Sequence, residues 1–152
     1  MSLGGGGGQQ QLQQIAQAIE EIEEEREEVE AEIQNLRNEQ TEIDEAIDAI
    51  ETLETGSTVQ VPLGGDAYVR AEIQDIEEVV VTLGGGYAAE RDSDGAIESL
   101  EHKKDALDDR IAELEEEIKA VESETEDLEA KAQQAQQQQM QQMQQMQQQD
   151  DE

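Results

Sequence analysis

Two long stretches of the chain carry apolar residues at alternating spacings of three and four. The first holds Leu12, Ile15, Ile19, Ile22, Val29, Ile33, Leu36, Ile43, Ile47 and Ile50. The second holds Ile97, Leu100, Leu107, Ile111, Leu114, Ile118, Val121, Leu128, Ala132 and Ala135. Glu and Gln fill most positions between them. A heptad stripe sustained over several repeats predicts a coiled-coil helix in each stretch.

The pattern changes between the two stripes. Gly56 ends the first helix, and short β-prone runs follow at 57–63, 67–73, 79–83 and 87–91. Gly64-Gly65-Asp66 separates the first two runs, and Gly84-Gly85-Gly86 separates the last two. Short glycine-rich loops between such runs predict two β-hairpins. Pro62 has no amide donor, so its strand should lie at a sheet edge or end there.

The composition shifts divide the chain into five segments. We predict a flexible Gly/Gln arm at 1–11, a coiled-coil helix at 12–55, a double β-hairpin at 56–92, a second coiled-coil helix at 93–132 and an acidic Gln/Met-rich tail at 133–152. The fold class is therefore α+β. Ser93 or Asp94 is expected to cap the second helix.

The two stripes have equally many seam positions, which favours an antiparallel coiled coil closed by the hairpins. Pairing Ile50 with Ile97 places Leu12 beside Ala135. The polar residues that interrupt the stripes then fall in adjacent layers, Gln40 beside Lys104 and Arg26 beside Thr125. Polar residues in a coiled-coil seam commonly specify register at a cost in stability.

Two hairpins with small side chains are marginal alone, and their edges invite added strands. We therefore expect the chain to oligomerise through its centre. The apolar hairpin residues expected to serve assembly are Val59, Val61, Leu63, Val69, Ile73, Val79, Val81, Leu83 and Tyr87.

Charge narrows the range of functions. The 152 residues include 41 acidic and 9 basic side chains, for a net charge of −32. So negative a chain is not expected to bind nucleic acid or an anionic membrane. We interpret the composition as adaptation to molar intracellular salt, which screens the repulsion; mimicry of nucleic acid is the alternative. The absence of cysteine excludes disulfides and thiolate zinc sites.

Candidate chemistry is sparse. The acids of Glu90–Glu101 have a spacing like that of an EF-hand calcium loop, but the first position is Glu and a strand precedes it. We interpret this segment as a helix start, with calcium binding as the alternative. His102 lies on a charged helix face, and no cleft is predicted that would shift a carboxylate pKa. We expect no enzymatic activity, no cofactor and no metal.

The central segment resembles the α subunits of archaeal prefoldins. The resemblance is carried by Val61-Pro62-Leu63-Gly64, by Tyr68–Ile73 and by Val79–Tyr87, within an order of helix, two hairpins and helix. A β subunit would have one hairpin.

This resemblance implies a cytoplasmic, ATP-independent chaperone subunit. Two α and four β subunits would form a hexamer on a β-barrel platform, hold unfolded clients at the coiled-coil tips and deliver them to a group II chaperonin. The tip residues would be Leu12, Ile15, Met140, Met143 and Met146. The alternative is a structural coiled-coil protein, such as a prefoldin-like filament or a scaffold.

Overall fold

A computed structural model describes residues 3–150 of the chain, with the side chains of residues 7–149. The elements follow in the order α1 (Leu3–Thr52), β1 (Thr58–Gly64), β2 (Ala67–Glu72), β3 (Val79–Gly84), β4 (Tyr87–Arg91) and α2 (Ser93–Asp150). The predicted order of helix, two hairpins and helix is confirmed. The chain divides into two compact units: unit 1 holds the residues up to 33 and those from 112, and unit 2 holds residues 34–111.

Both helices extend further than their apolar stripes. α1 begins at Leu3 rather than at position 12, and α2 continues to Asp150 rather than ending at 132. The described parts of the expected arm and tail are therefore helical. One reason is that the helix pairing continues beyond the stripes: a Cβ placed on Gly8 would lie 2.7 Å from Nε2 of Gln139. Glutamine is also a good helix former, so α2 can continue through the segment 133–150.

In unit 1 the two helices bury a narrow apolar seam. Its buried residues are Ile15, Ile22, Val29 and Ile33 from α1 and Leu114, Val121 and Ala135 from α2. All of them belong to the predicted stripes. The acidic and glutamine side chains lie on the remaining surface, so each helix buries only a coiled-coil stripe.

Unit 2 holds the other part of the helix pair and both hairpins. Its buried apolar residues are Ile43, Val81, Ala96 and Ile111. The predicted seam residues Leu36, Ile47, Ile50, Leu100 and Leu107 are half-buried. The core of this unit is thus small, as the low apolar content predicts.

Each hairpin is an antiparallel two-stranded sheet of its own. Val61 pairs with Val69 in the first, and Val81 pairs with Ala89 in the second. The turn residues Gly65 and Asp66 have φ values of 60° and 62°, and Gly85 and Gly86 have 62° and 81°. Two successive positive φ angles define a type I′ turn, whose twist matches that of the strands. Both hairpins therefore have the same turn, at the two glycine clusters that predicted the hairpins.

The amino end of α2 is capped by Asp92. Its carboxylate accepts a hydrogen bond from the Gly95 amide at 2.7 Å. The prediction of Ser93 or Asp94 was wrong because both residues already lie inside the helix. The Ser93 hydroxyl instead donates to the carbonyl of Ile76 at 3.0 Å, so it ties α2 to the link between the hairpins.

Candidate functional site

The hairpins present a large apolar surface to solvent. We call the exposed large apolar residues of the two hairpins the hairpin surface; they are Val61, Leu63, Tyr68, Val69, Val80, Leu83 and Tyr87. Tyr68 is 60% exposed and Tyr87 is 76% exposed, and they are the two aromatic residues of the chain. Aromatic side chains contribute large contact areas to protein interfaces. Such a concentration of exposed apolar groups on a highly charged chain is typical of an interaction surface.

The structure separates the predicted assembly residues into two groups. Val61, Leu63, Val69, Leu83 and Tyr87 are exposed, as an assembly surface requires. Val59, Ile73 and Val79 are half-buried within the chain.

Val81 does not belong to that surface, because only 5% of it is exposed. It is a core residue of unit 2. The strand pattern alone did not distinguish it from Val61, which occupies the equivalent position of the first hairpin.

Sequence reasoning missed Tyr68 and Val80. Tyr68 pairs with Pro62 across the first hairpin, and Val80 pairs with Glu90 across the second. Successive side chains of a strand point to opposite faces, so both residues lie opposite to the neighbouring valines that were predicted to serve assembly. The scarcity of aromatic residues was the signal that could have identified Tyr68.

The backbone of the hairpins offers a second means of association. Within residues 3–150 each strand pairs with one other strand, so one edge of every strand is unpaired. An unpaired edge accepts hydrogen bonds from an added strand, and the exposed side chains beside it provide contact area. Pro62 lies in such an edge strand, as its missing donor predicts.

A polar layer lies in the helix pair of unit 2. The Lys104 ammonium lies 2.8 Å from Oδ1 of Asp44 on the opposite helix. This hydrogen bond, with the charge of Asp44, raises the pKa of Lys104. The Gln40 amide donates to the carbonyl of Lys104 at 3.2 Å and to the carboxylate of Asp108. Gln40 and Lys104 therefore meet in adjacent layers, as the antiparallel register predicts.

A second polar layer lies in unit 1. Arg26 donates from Nε to Glu30 at 3.0 Å, and its Nη2 lies 2.9 Å from Glu122 on α2. The hydrogen bond to Glu30 and the charge of Glu122 raise the pKa of Arg26. The Thr125 hydroxyl donates to the Val121 carbonyl one turn earlier, so it is satisfied within α2. The contact of Arg26 with Glu122 confirms the predicted register in this unit.

The pairing of Gly8 with Gln139 yields a direct test of the register. The chain has no cysteine, so a pair introduced by Gly8→Cys and Gln139→Cys would be the only thiols. A Cβ on Gly8 lies 3.1 Å from Cγ of Gln139, which is compatible with disulfide geometry after a small adjustment. We expect this pair to form an intramolecular disulfide under mild oxidation, detected by non-reducing electrophoresis and peptide mapping.

The matched control for this test combines Gln139→Cys with Gln10→Cys. Gln10 is exposed and lies two residues from Gly8 along α1, so the two positions are on different faces of the helix. It should cross-link far more slowly. Equal rates for the two pairs would contradict the antiparallel register at this end of the helices.

The three described methionines lie on α2 beyond Gln139, which packs against Gly8. Met140, Met143 and Met146 are 65%, 70% and 67% exposed. Leu12 is half-buried, and only 8% of Ile15 is exposed, so these two residues pack in the seam. Of the predicted client-binding residues, the structure therefore presents the three methionines to solvent and holds Ile15 inside the helix pair.

The remaining chemical candidates have ordinary structural roles. In the calcium-like segment, Asp92 caps α2 and the acids from Asp94 onward lie along that helix. Among the side chains that the structure describes, no group of three or more His, Asp or Glu converges as a metal site would. His102 lies 3.7 Å from Glu98 one turn away on an exposed face.

Within residues 3–150 no helix is apolar enough over a sufficient length to cross a membrane.

The family model described as "Prefoldin subunit" matches residues 22–149, which include both hairpins, α1 from residue 22 onward and α2 up to residue 149. The chain therefore belongs to the prefoldin family, a family of chaperone subunits. The resemblance drawn from the central segment is confirmed.

Two prefoldin α subunits of known sequence are similar to this chain over long stretches. The chain is 65% identical over 111 residues to prefoldin subunit alpha of Halobacterium salinarum, covering 73% of this chain and 71% of that protein. It is 68% identical over 71 residues to prefoldin subunit alpha of Haloarcula marismortui, covering 47% of this chain and 46% of that protein. The second match thus spans about half the length of the relative. Both relatives come from salt-loving archaea, which agrees with the acidic composition.

A solved structure supports the fold. The chain superposes on filamentous PFD from Methanocaldococcus jannaschii with a TM-score of 0.53 and 27% sequence identity. The match covers 80% of this chain and 97% of that one. The two chains therefore share the architecture of paired long helices with central hairpins.

Proposed function

We propose that this chain is the α subunit of an ATP-independent prefoldin chaperone that captures unfolded proteins in the cytoplasm of a halophile. The main support for the proposal is the hairpin surface, which is exposed in the single chain. The chain also belongs to a family of chaperone subunits. An isolated two-stranded hairpin is marginal in water, and covering it with partner strands removes both the apolar exposure and the free edges.

The proposed partners follow from the need to cover this surface. Two copies of the chain and four β subunits would join their hairpins into a β-barrel platform. Support comes from the double hairpin and from the relatives named prefoldin subunit alpha. Captured clients would pass to a group II chaperonin.

The proposed client contact is the exposed methionine segment of α2. Methionine has an unbranched, polarisable side chain, and promiscuous binding surfaces use it often. Met140, Met143 and Met146 follow each other at a spacing of three, so neighbouring side chains lie about 5–6 Å apart at Cβ. Each side chain could contribute about 1.5–3 kcal/mol when a client buries it, before ordering costs.

The experiment mixes this chain with a haloarchaeal β subunit in molar KCl. We expect a hexamer by multi-angle light scattering, and suppression of aggregation of an unfolded protein without nucleotide. Exchanging the three methionines for Gln should weaken client capture by about tenfold or more while the hexamer mass and the helical circular dichroism stay unchanged.

The matched control exchanges three glutamines of the same segment for Asn, at Gln141, Gln144 and Gln147, which are also exposed. It should capture clients as the unaltered complex does. A monomer without holdase activity would refute the proposed function. If the methionine variant captured clients fully, the contact would have to lie elsewhere on the complex.

A second candidate function is a filament. The structural match to filamentous PFD favours it, since that protein shares the fold at 27% identity. Long polymers formed by this chain alone, seen by electron microscopy in molar salt, would support the filament over the hexamer.

A further inference from the structure

Oxidisable sulfur in this chain is concentrated at one place. The sequence has four methionines and no cysteine, and three of the four lie in the seven residues from Met140 to Met146. The fourth, Met1, lies outside the described residues. Both apolar seams are built from Ile, Leu, Val and Ala without a single methionine. Any oxidation of sulfur in the described chain therefore falls on the segment 140–146.

The environment of this segment leaves the sulfurs accessible. All three side chains are about two-thirds exposed. The register that pairs Gly8 with Gln139 places Gly7 beside Met140, and a glycine has no side chain to cover the sulfur. A Cβ placed on Gly7 meets no atom within 4 Å, whereas one on Gly8 would meet Gln139. Among the side chains that the structure describes, packing between the helices therefore ends near Gln139, and the three sulfurs beyond it are open to a small oxidant.

We propose that Met140, Met143 and Met146 form a reversible oxidation site, at which a peroxide turns client capture off. This inference rests on the proposed client contact. In the reaction a thioether lone pair attacks one peroxide oxygen, the O–O bond breaks, and an S–O bond forms. The sulfur is oxidised to the sulfoxide, the peroxide is reduced, and a proton shift to the departing oxygen releases water. A dithiol-dependent sulfoxide reductase reverses the step, with the dithiol becoming a disulfide and the oxygen leaving as water.

Oxidation of the three methionines should affect client capture but not the fold of the chain. A sulfoxide is polar, so its burial against an apolar client segment is no longer favourable. The same change removes no packing from the chain, because the three side chains are exposed and lie past the last buried seam residue, Ala135. Oxidation should thus suppress client capture while the helix pair and the hairpin surface remain intact.

Leucine would supply the same apolar area without this sensitivity. The chain uses Leu freely in both seams and as Leu63 and Leu83 on the hairpins, yet it places only Met in this exposed segment. The triple exchange of Met140, Met143 and Met146 for Leu therefore separates the apolar role of the segment from its sulfur chemistry.

The experiment treats the assembled full-length complex with hydrogen peroxide and removes the peroxide before the client is added. Peptide mass spectrometry should show one added oxygen on each methionine of the segment. Client affinity should fall by about tenfold or more, to the level of the Met→Gln triple variant. Methionine sulfoxide reductase with a dithiol should restore it. Peroxide should cause no loss of client affinity in the Met→Leu variant, measured against the untreated affinity of that same variant.

The outcomes distinguish this inference from the proposed function. Full capture by the oxidised complex would overturn the inference and leave the function standing. An equal loss of capture in the Met→Leu variant would also overturn it, because the sensitive group would lie outside the segment. Absence of capture by the untreated complex would overturn both.

Discussion

A chain carrying Val61→Thr, Val69→Thr and Tyr87→Thr should fail to assemble with its partner subunits while its two helices stay folded. Val61 and Val69 face each other across the first hairpin, and Tyr87 starts the last strand. Threonine keeps the β-branched shape that suits a strand, so the exchange removes apolar area with little effect on the hairpin backbone. The three residues are exposed in the single chain, so their loss should cost the chain itself little.

The expected size of this effect follows from burial at the interface. Each apolar side chain of this kind contributes about 1.5–3 kcal/mol when it becomes fully buried. A loss of roughly 3–6 kcal/mol over the three sites corresponds to an assembly weakened by about a hundredfold or more. Sedimentation velocity over a concentration series measures the change, and circular dichroism reports the helices.

The control for this prediction uses the opposite face of the same hairpin. Gln60 and Arg70 also face each other across the strands, and both are exposed. The variant Gln60→Thr with Arg70→Thr should assemble nearly as well as the unaltered chain, because it removes no apolar area. Assembly that survives the first variant would contradict a role for Val61, Val69 and Tyr87 in oligomerisation. Equal failure of the second variant would show that the loss is not specific to these apolar side chains.

Raising KCl from 0.1 M to 2 M should increase the thermal midpoint of unfolding by about 10 °C or more. The net charge of −32 is carried by two thin helices and two small hairpins with little buried core. The Debye length falls from about 10 Å at 0.1 M to about 3 Å at 1 M salt, so repulsion between neighbouring carboxylates is strongly screened. A gain of a few kcal/mol in the free energy of unfolding would produce a shift of this size.

A charge variant shows whether repulsion causes the salt effect. Glu24, Glu25 and Glu28 are exposed on α1, and their exchange for Lys reduces the net charge from −32 to −26. This variant should melt at a higher temperature in 0.1 M KCl and gain less from added salt. If the thermal midpoint of the unaltered chain did not depend on salt, the electrostatic explanation would be refuted. If salt raised the midpoint of both chains equally, the stabilisation would come from the effect of salt on apolar burial.

The periodic and local features of the protein were determined by the sequence alone. The heptad stripes identified the seam residues of both helices, and the polar pairs of Gln40 with Lys104 and of Arg26 with Thr125 defined the register. The contacts of Lys104 with Asp44 and of Arg26 with Glu122 confirm this register. The glycine clusters identified the turns of both hairpins, and the structure gives these turns type I′ φ angles. Such features are predictable because periodicity and turn chemistry depend on neighbouring residues.

The candidate surfaces were predicted less completely than the helices and turns. Val61 and Val81 were both predicted to serve assembly, yet the first is exposed and the second is buried. The difference depends on what each hairpin packs against within unit 2, which no strand pattern contains. The exposure of the three methionines agrees with their predicted position beyond the last seam layer, whereas Ile15 packs inside the helix pair.

The tertiary structure decided the ends of the helices and the cap of α2. The glycine run and the glutamine-rich segment have no apolar stripe, so the sequence predicted a loose arm and tail there. In the structure the missing side chain of Gly8 leaves room for Gln139, and both helices continue. Asp92 caps α2 because it directly precedes the helix, and the Ser93 hydroxyl instead donates to the carbonyl of Ile76, 17 residues earlier. The contact of Gly8 with Gln139 and the bond of Ser93 to Ile76 join residues that are separated along the chain, and only the folded chain brings such residues together.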